Sequence, residues 1–424
     1  MKEISILIRC AALGMVLALV GAAAGPVDSK ASGGGVFFDS GQRLDSRAGL
    51  DVALGDVDGD DDLDAFVVNY WDADMVFEPN TVWLNGGAGE FADSGQRLGS
   101  LPSRAVALGD LDGDGDLDAF VGNGLEQPDM VWFNDGGGTF VDSGQRLGAA
   151  HTTEVVLGDL DGDEDLDAFV ASGSIFASVM PNTVWLNDGA GAFTDSGQRL
   201  GSHTSQGADL GDLDADGDLD AFVGNGYPGN HPNTVWLNDG SGGFSDSGQL
   251  LGSSMTNGVA LGDLDGDDDL DAFVNNSGQA NQVWLNDGYA TFIDSGQTLG
   301  SASSGGVALG DVEEDGDLDA YVSNHEQPNK VWLNHGNGTF GDSGQNLGSA
   351  RSVGAALGDV DRDGDLDAFV ANNQQPDEVW LNGEPAPSPP PVVPETPTLM
   401  LLGGAAASLS AYVALQLRAR RRGP

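Results

Sequence analysis

Carboxylates alternate along short runs of this chain in a pattern that few chemistries require. In Leu108–Val121, LGDLDGDGDLDAFV, the acids Asp110, Asp112, Asp114, Asp116 and Asp118 take every second position. Six more runs follow the same rule. They are Asp56, Asp58, Asp60, Asp62 and Asp64; Asp159, Asp161, Asp163, Asp165 and Asp167; Asp212, Asp214, Asp216, Asp218 and Asp220; Asp263, Asp265, Asp267, Asp269 and Asp271; Asp311, Glu313, Asp315, Asp317 and Asp319; and Asp359, Asp361, Asp363, Asp365 and Asp367. Alternate acids in a tight, glycine-bearing turn gather several oxygens round one point, which is what a hard cation needs. Many protein oxygens on a flexible loop favour Ca²⁺ over Mg²⁺, and zinc would call for His or Cys. Seven near-identical copies point to structural cations, up to seven Ca²⁺, each holding a hairpin. A reaction centre has no use for seven equal copies.

Such loops need strands on both sides. Each run follows a VALG-type segment and precedes an AFV-type segment, and the runs start 48 to 54 residues apart. Two further marks keep the same time. One is V-W-[LF]-N, at Trp83, Trp132, Trp185, Trp236, Trp284, Trp332 and Trp380; the other is F-x-D-S-G-Q, with its acid at Asp39, Asp93, Asp142, Asp195, Asp246, Asp294 and Asp342. About 50 residues with four short β-type runs describe one propeller blade. The expected fold is all-β, a seven-bladed β-propeller with four antiparallel strands per blade. The last repeat stops at Trp380-Leu381-Asn382-Gly383 with no F-x-D-S-G-Q after it, while Phe38–Gln42 supplies that strand at the other end of the chain. An N-terminal strand should therefore complete the last blade and close the ring, removing free sheet edges.

The composition agrees. The formal net charge is −51, and 39 of the 67 Asp and Glu residues lie in the seven loops. Seven calcium ions would still leave about −37, which makes nucleic acid and anionic membrane surfaces poor partners. Only nine basic residues occur between Val36 and Gly383. The lone cysteine, Cys10, falls in a segment expected to be removed, so metal stands where a secreted fold would use disulfides.

Residues 1–24 read as a signal peptide, with Lys2 and Arg9, an apolar Cys10–Val20 and a small-residue cleavage site at Ala22–Ala24. Residues 25–35 form a lead-in and 36–383 the repeat array. Residues 384–397 are a Pro-rich spacer, 398–417 an apolar run long enough to cross a bilayer as a helix, and 418–424 a basic tail placed to stay cytoplasmic.

The array resembles the FG-GAP/VCBS repeat family, the blades of integrin-α-type propellers. The resemblance implies that Asp110, Asp112, Asp114 and Asp118 are side-chain ligands of Ca²⁺, that Asp116 contributes its main-chain carbonyl, and that ligands bind the opposite face of the disc. Position 6 of the loop should take positive φ. It is Gly115, Gly217, Gly316 and Gly364 in four copies but Asp61, Glu164 and Asp268 in three, with Glu164 the most strained. Glu313 at position 3 should make the sixth site the weakest, and Arg362 brings a positive charge near the metal of the seventh. Residues 393–397, VPETP, with the apolar run and RARRR, resemble the PEP-CTERM sorting tails of bacterial proteins. That likeness implies envelope attachment and an exosortase-like processing enzyme.

Ligand contact is expected on the irregular connections between second and third strands. These are Asn69–Asn80, which carries Tyr70 and Trp71, then Ser172–Asn182 and Gly226–Asn233. The seven patterned tryptophans should instead pack between blades. The five histidines show no metal or triad spacing, and no GxSxG, P-loop or Cys nucleophile is present. Arg43, Arg97, Arg146 and Arg199 recur at a fixed offset as part of the repeat. The expectation is a secreted, envelope-attached module that binds a glycan or protein ligand and is not an enzyme. A propeller lyase or phosphoesterase and a purely structural surface protein are the alternatives.

Overall fold

Alternating apolar residues, β-branched runs and Asn-Asp-Gly turns make strands and hairpins the only economical outcome for each repeat. The computed structural model describes residues 35–45, 47–71, 74–173, 180–226 and 229–383. They form seven four-stranded antiparallel sheets, the blades of a propeller. The second blade is typical. Its innermost strand is Ser103–Gly109, followed by Asp118–Asn123, Met130–Asn134 and the outer strand Phe140–Asp142. The acidic loop joins the first two strands, so all seven loops lie at one end of the blades and the connections between second and third strands at the other.

The outer strands are shorter than the sequence pattern suggests. Only two or three residues pair, as in Thr194–Asp195, and the Ser-Gly-Gln that follows leaves the sheet through a glycine at φ near +80°. The freed glutamine then reaches the next blade. Gln145 donates to the Gly191 carbonyl at 2.5 Å and accepts from the Phe193 amide at 2.9 Å.

The ring closes as the repeat phase requires. Phe38–Asp39 pairs with Glu378–Leu381, in register Phe38 to Leu381, and completes the seventh blade. Gln345 of the sixth blade performs the glutamine contact on this N-terminal strand, donating to the Gly35 carbonyl and accepting from the Phe37 amide. Aromatic pairs repeat round the ring too. The aromatic of each second strand, Phe in six blades and Tyr321 in the sixth, meets edge-on a phenylalanine in or just before the next blade's outer strand, as in Phe120–Phe193 at 5.2 Å.

The core consists of layers between neighbouring blades. One layer joins Ala105, Phe120 and Leu147 of the second blade to Val155, Val170 and Trp185 of the third. Six of the seven patterned tryptophans are buried in such layers and Trp236 is half-buried, as their fixed position implied. Among the described residues no helix is long and apolar enough to cross a membrane. The expected signal peptide, spacer, apolar run, sorting motif and basic tail lie outside the described residues.

Candidate metal centres

Each acidic loop is shaped by its own first residue. In the second blade Asp110 accepts from the Gly113 amide at 2.8 Å with one oxygen and from the Gly115 amide at 3.1 Å with the other. Asp114 accepts from the Asp116 amide. Asp118, at the start of the second strand, accepts from the Leu111 amide at 3.1 Å and the Asn134 amide at 2.8 Å. The first, third and fifth loops repeat the scheme, and in the fourth, sixth and seventh the position-5 amide donates to the first oxygen instead.

Two residues per loop must take the left-handed conformation. Position 6 does so throughout, including Asp61 at φ 68°, Glu164 at 72° and Asp268 at 71°. Position 4 does so as well, which the sequence reading missed. It is glycine in four loops but Ala215, Glu314 and Arg362 in the others, at 62°, 56° and 61°. Only glycine takes that region freely.

The acids at positions 1, 3 and 9 converge. One ligand oxygen from each of Asp56, Asp58 and Asp64 lies within 4.8 Å of the others, as do Asp110, Asp112 and Asp118; Asp159, Asp161 and Asp167; Asp212, Asp214 and Asp220; and Asp263, Asp265 and Asp271, with one further such group among the described residues. Position 5 is exposed. Position 7 turns its carboxylate to its own blade's hairpin turn, where a Cβ added to Gly87 would lie 2.6 Å from Asp62 Oδ1. That placement fits a main-chain contribution from position 7.

The position-3 acids carry the test of fit. One oxygen each of Asp58, Asp112, Asp161, Asp214 and Asp265 is buried with no hydrogen-bond partner. A buried carboxylate oxygen without a donor is costly, and five such cases at the same position of five loops mark five positions shaped for a cation. In the seventh loop Asp361 instead accepts from the Asp363 amide at 3.2 Å, and Glu313 of the sixth loop is absent from the set. Without a cation the buried position-9 acids resist ionisation. Burial first, with Asp58 and Asp60 adding repulsion, pushes Asp64 up to about 7, and burial raises Asp367 to about 8. The residues present fit a hard divalent cation.

The loops are wired to the neighbouring blade by the asparagine that ends V-W-[LF]-N. Asn134 donates from its side chain to the Val57 carbonyl in the first blade's loop at 2.7 Å, and to Leu117 of its own at 3.2 Å. Its amide meets Asp118 Oδ1. The same bridge recurs at Asn187, Asn238, Asn286, Asn334, Asn382 and Asn85, the last reaching Val360. The invariance of that asparagine across seven copies was the available signal.

Other expected residues fall differently. Tyr70 is buried in a small cluster with Ala48 and Leu50, against partly buried Trp71, Leu125 and Val353. Arg104 lies 5.6 Å over its ring, and Trp71 packs against it at 4.2 Å. The exposed apolar residues of that connection are Met75, Val76 and Phe77. Parts of the two other long connections lie outside the described residues. Four arginines pair with their own repeat's acid, as Arg97 does with Asp93 at 2.6 Å. His203, just before the fourth blade's innermost strand, and His231, in the same blade's connection between second and third strands, stack at 4.3 Å. Asp51, Glu154 and Asp209 on innermost strands were also missed. They break the small-residue pattern of that strand, and burial raises all three.

Segments 56–121, 110–170, 212–274, 263–322 and 311–370 match the model of the FG-GAP-like repeat. No curated protein sequence matches the chain. Among solved structures, BBS1N in complex with ARL6DN superposes with a TM-score of 0.56 at 10% identity, over 83% of this chain and 97% of that one. A functionally unknown protein from Desulfotomaculum acetoxidans gives 0.49 at 12% identity, over 70% and 86%. The BP39L lectin from Burkholderia pseudomallei gives 0.49 at 16%, over 80% and 99%. The similarity to BBS1N is one of fold alone.

Proposed function

This chain belongs to the FG-GAP-like repeat family, and on that premise we propose that it is a calcium-stabilised propeller serving as a binding or adhesion module. Its ligand is a glycan or a protein, taken on the face opposite the acidic loops. The observation that carries the calcium reading is the set of five buried, unpartnered position-3 oxygens. Calcium bound there would neutralise Asp positions 1, 3 and 9. Through the asparagine bridges it would hold each loop against the next blade, so metal binding and ring stability are linked.

Two features support the opposite face as the ligand face. Met75, Val76 and Phe77 stand exposed there, beside Trp71. Both ends of the propeller lie at the acidic side, where the Gly35 amide donates to Asn382 Oδ1 at 3.0 Å and Gly383 neighbours Asp365. Secretion and envelope attachment rest on the terminal segments of the sequence. A non-catalytic role is supported by the basic residues, since seven of the nine in 36–383 are held in ion pairs among the described residues.

The test is thermal unfolding in millimolar calcium and then in chelator, with calorimetric stoichiometry. A large upward shift with at least five ions bound supports the reading, and an unchanged melt rejects it. A glycan array probed with the calcium-loaded chain, and again with the Phe77→Ala variant, addresses the ligand face.

A further inference from the structure

Position 4 of each acidic loop lies at the junction with the following blade. A Cβ on Gly59 would meet the Gly136 carbonyl of the second blade's turn at 3.3 Å, and one on Gly113 would meet Gly189 of the third at 3.1 Å. In the seventh loop this position is Arg362, and the following blade is the first, so the side chain crosses the seam where the ring closes. Its Nε pairs with Asp62 Oδ1, a carboxylate only 7% exposed, and its Nη2 donates to the Asp60 carbonyl at 3.3 Å. Asp60 and Asp62 are positions 5 and 7 of the first loop. Arg362 therefore pairs its charge with the neighbouring loop. It also holds a left-handed φ of 61° that glycine takes in four sister loops.

We propose that Arg362 is a cation the first loop takes from its own chain, holding the closing seam in place of metal and weakening calcium there relative to the other loops. The inference rests on the calcium reading of the loops. The first loop has the full set of acids and the unpartnered Asp58 oxygen, so on ligands alone it should equal loops two to five. A fixed positive charge about 6 Å from a divalent ion costs affinity, about tenfold even at the dielectric of bulk water. The same charge offsets repulsion among the acids of the first loop when no metal is bound. Because blade seven is completed by an N-terminal strand without covalent continuity, this is the seam that most needs such a contact.

The experiment compares the full chain with Arg362→Ala, the residue that loop four carries at the same position and a similar φ. In calorimetric calcium titration the variant should bind one ion about tenfold more tightly than wild type. In chelator it should melt several degrees lower, with Arg362→Lys between the two. Adding Asp56→Asn, which removes a first-loop ligand, should abolish the gain in affinity. Titrations of wild type and Arg362→Ala that coincide overturn the inference, and so do coinciding melts in chelator. If neither protein binds calcium the metal reading fails, while the melts in chelator still decide whether Arg362 holds the seam.

Discussion

The side-chain amide of Asn134 donates to the main-chain carbonyl of Val57 at 2.7 Å, joining one blade's third strand to the acidic loop of the blade before it. Seven such bridges make the metal loops part of the blade interfaces. Replacing Asn134 with alanine leaves the buried Val57 carbonyl without this donor. The expected loss is about 2 kcal/mol of stability, read by denaturant unfolding, together with weaker calcium binding in the titration.

Closure depends on a short N-terminal strand. Phe37 is buried and meets Tyr321 edge to face at 5.6 Å. Phe37→Ala should cost about 3 kcal/mol and loosen the strand that covers Glu378–Leu381. An uncovered edge invites pairing with another chain, so size-exclusion chromatography should show oligomers that wild type lacks. Gln345→Ala, which removes the neighbouring amide contacts, should give a milder form of the same result.

Glu164 holds φ 72° on an exposed loop. Glu164→Gly relieves that conformation and should stabilise the protein by about 0.5–1 kcal/mol. The equivalent change at Gly115, to alanine, should destabilise by a similar amount. Chemical denaturation of both variants in saturating calcium separates backbone strain from lost acidity.

Burial pushes Asp209 up to about 7, against about 4 in an unfolded chain. Asp51 shares the condition on another innermost strand, pushed up by burial to about 6. Arg104 and Glu154 complete the charged groups of that region, and Glu154 feels both acids. A raised carboxyl contributes stability that is fully present below about pH 4 and is lost as pH rises through about 7. Wild type should therefore lose a few kcal/mol relative to Asp209→Asn across that window. Unfolding curves of the two proteins at matched pH, in chelator, measure the difference.

The sequence by itself determined the number of blades, the strand order within each, the phase that sends an N-terminal strand to the seventh blade, and the acids of the loops. Those features are local and repeat seven times, so the pattern of any one copy checks the others. Strand periodicity and alternating carboxylates follow from residues a few positions apart, and side-chain direction along a short segment is fixed by backbone geometry.

Tertiary structure decided what depends on the offset between one blade and the next. The asparagine and glutamine bridges, the inward turn of Tyr70 beneath Arg104 and the reach of Arg362 to Asp62 join residues far apart in the chain. Their partners are set by how tightly the blades wrap into a ring, which no local pattern encodes. The same holds for the metal loops. Spacing showed that carboxylates would converge. Only the folded loop shows that one oxygen of Asp58, Asp112, Asp161, Asp214 and Asp265 is buried without a donor, because that depends on which backbone amides the other acids have already taken.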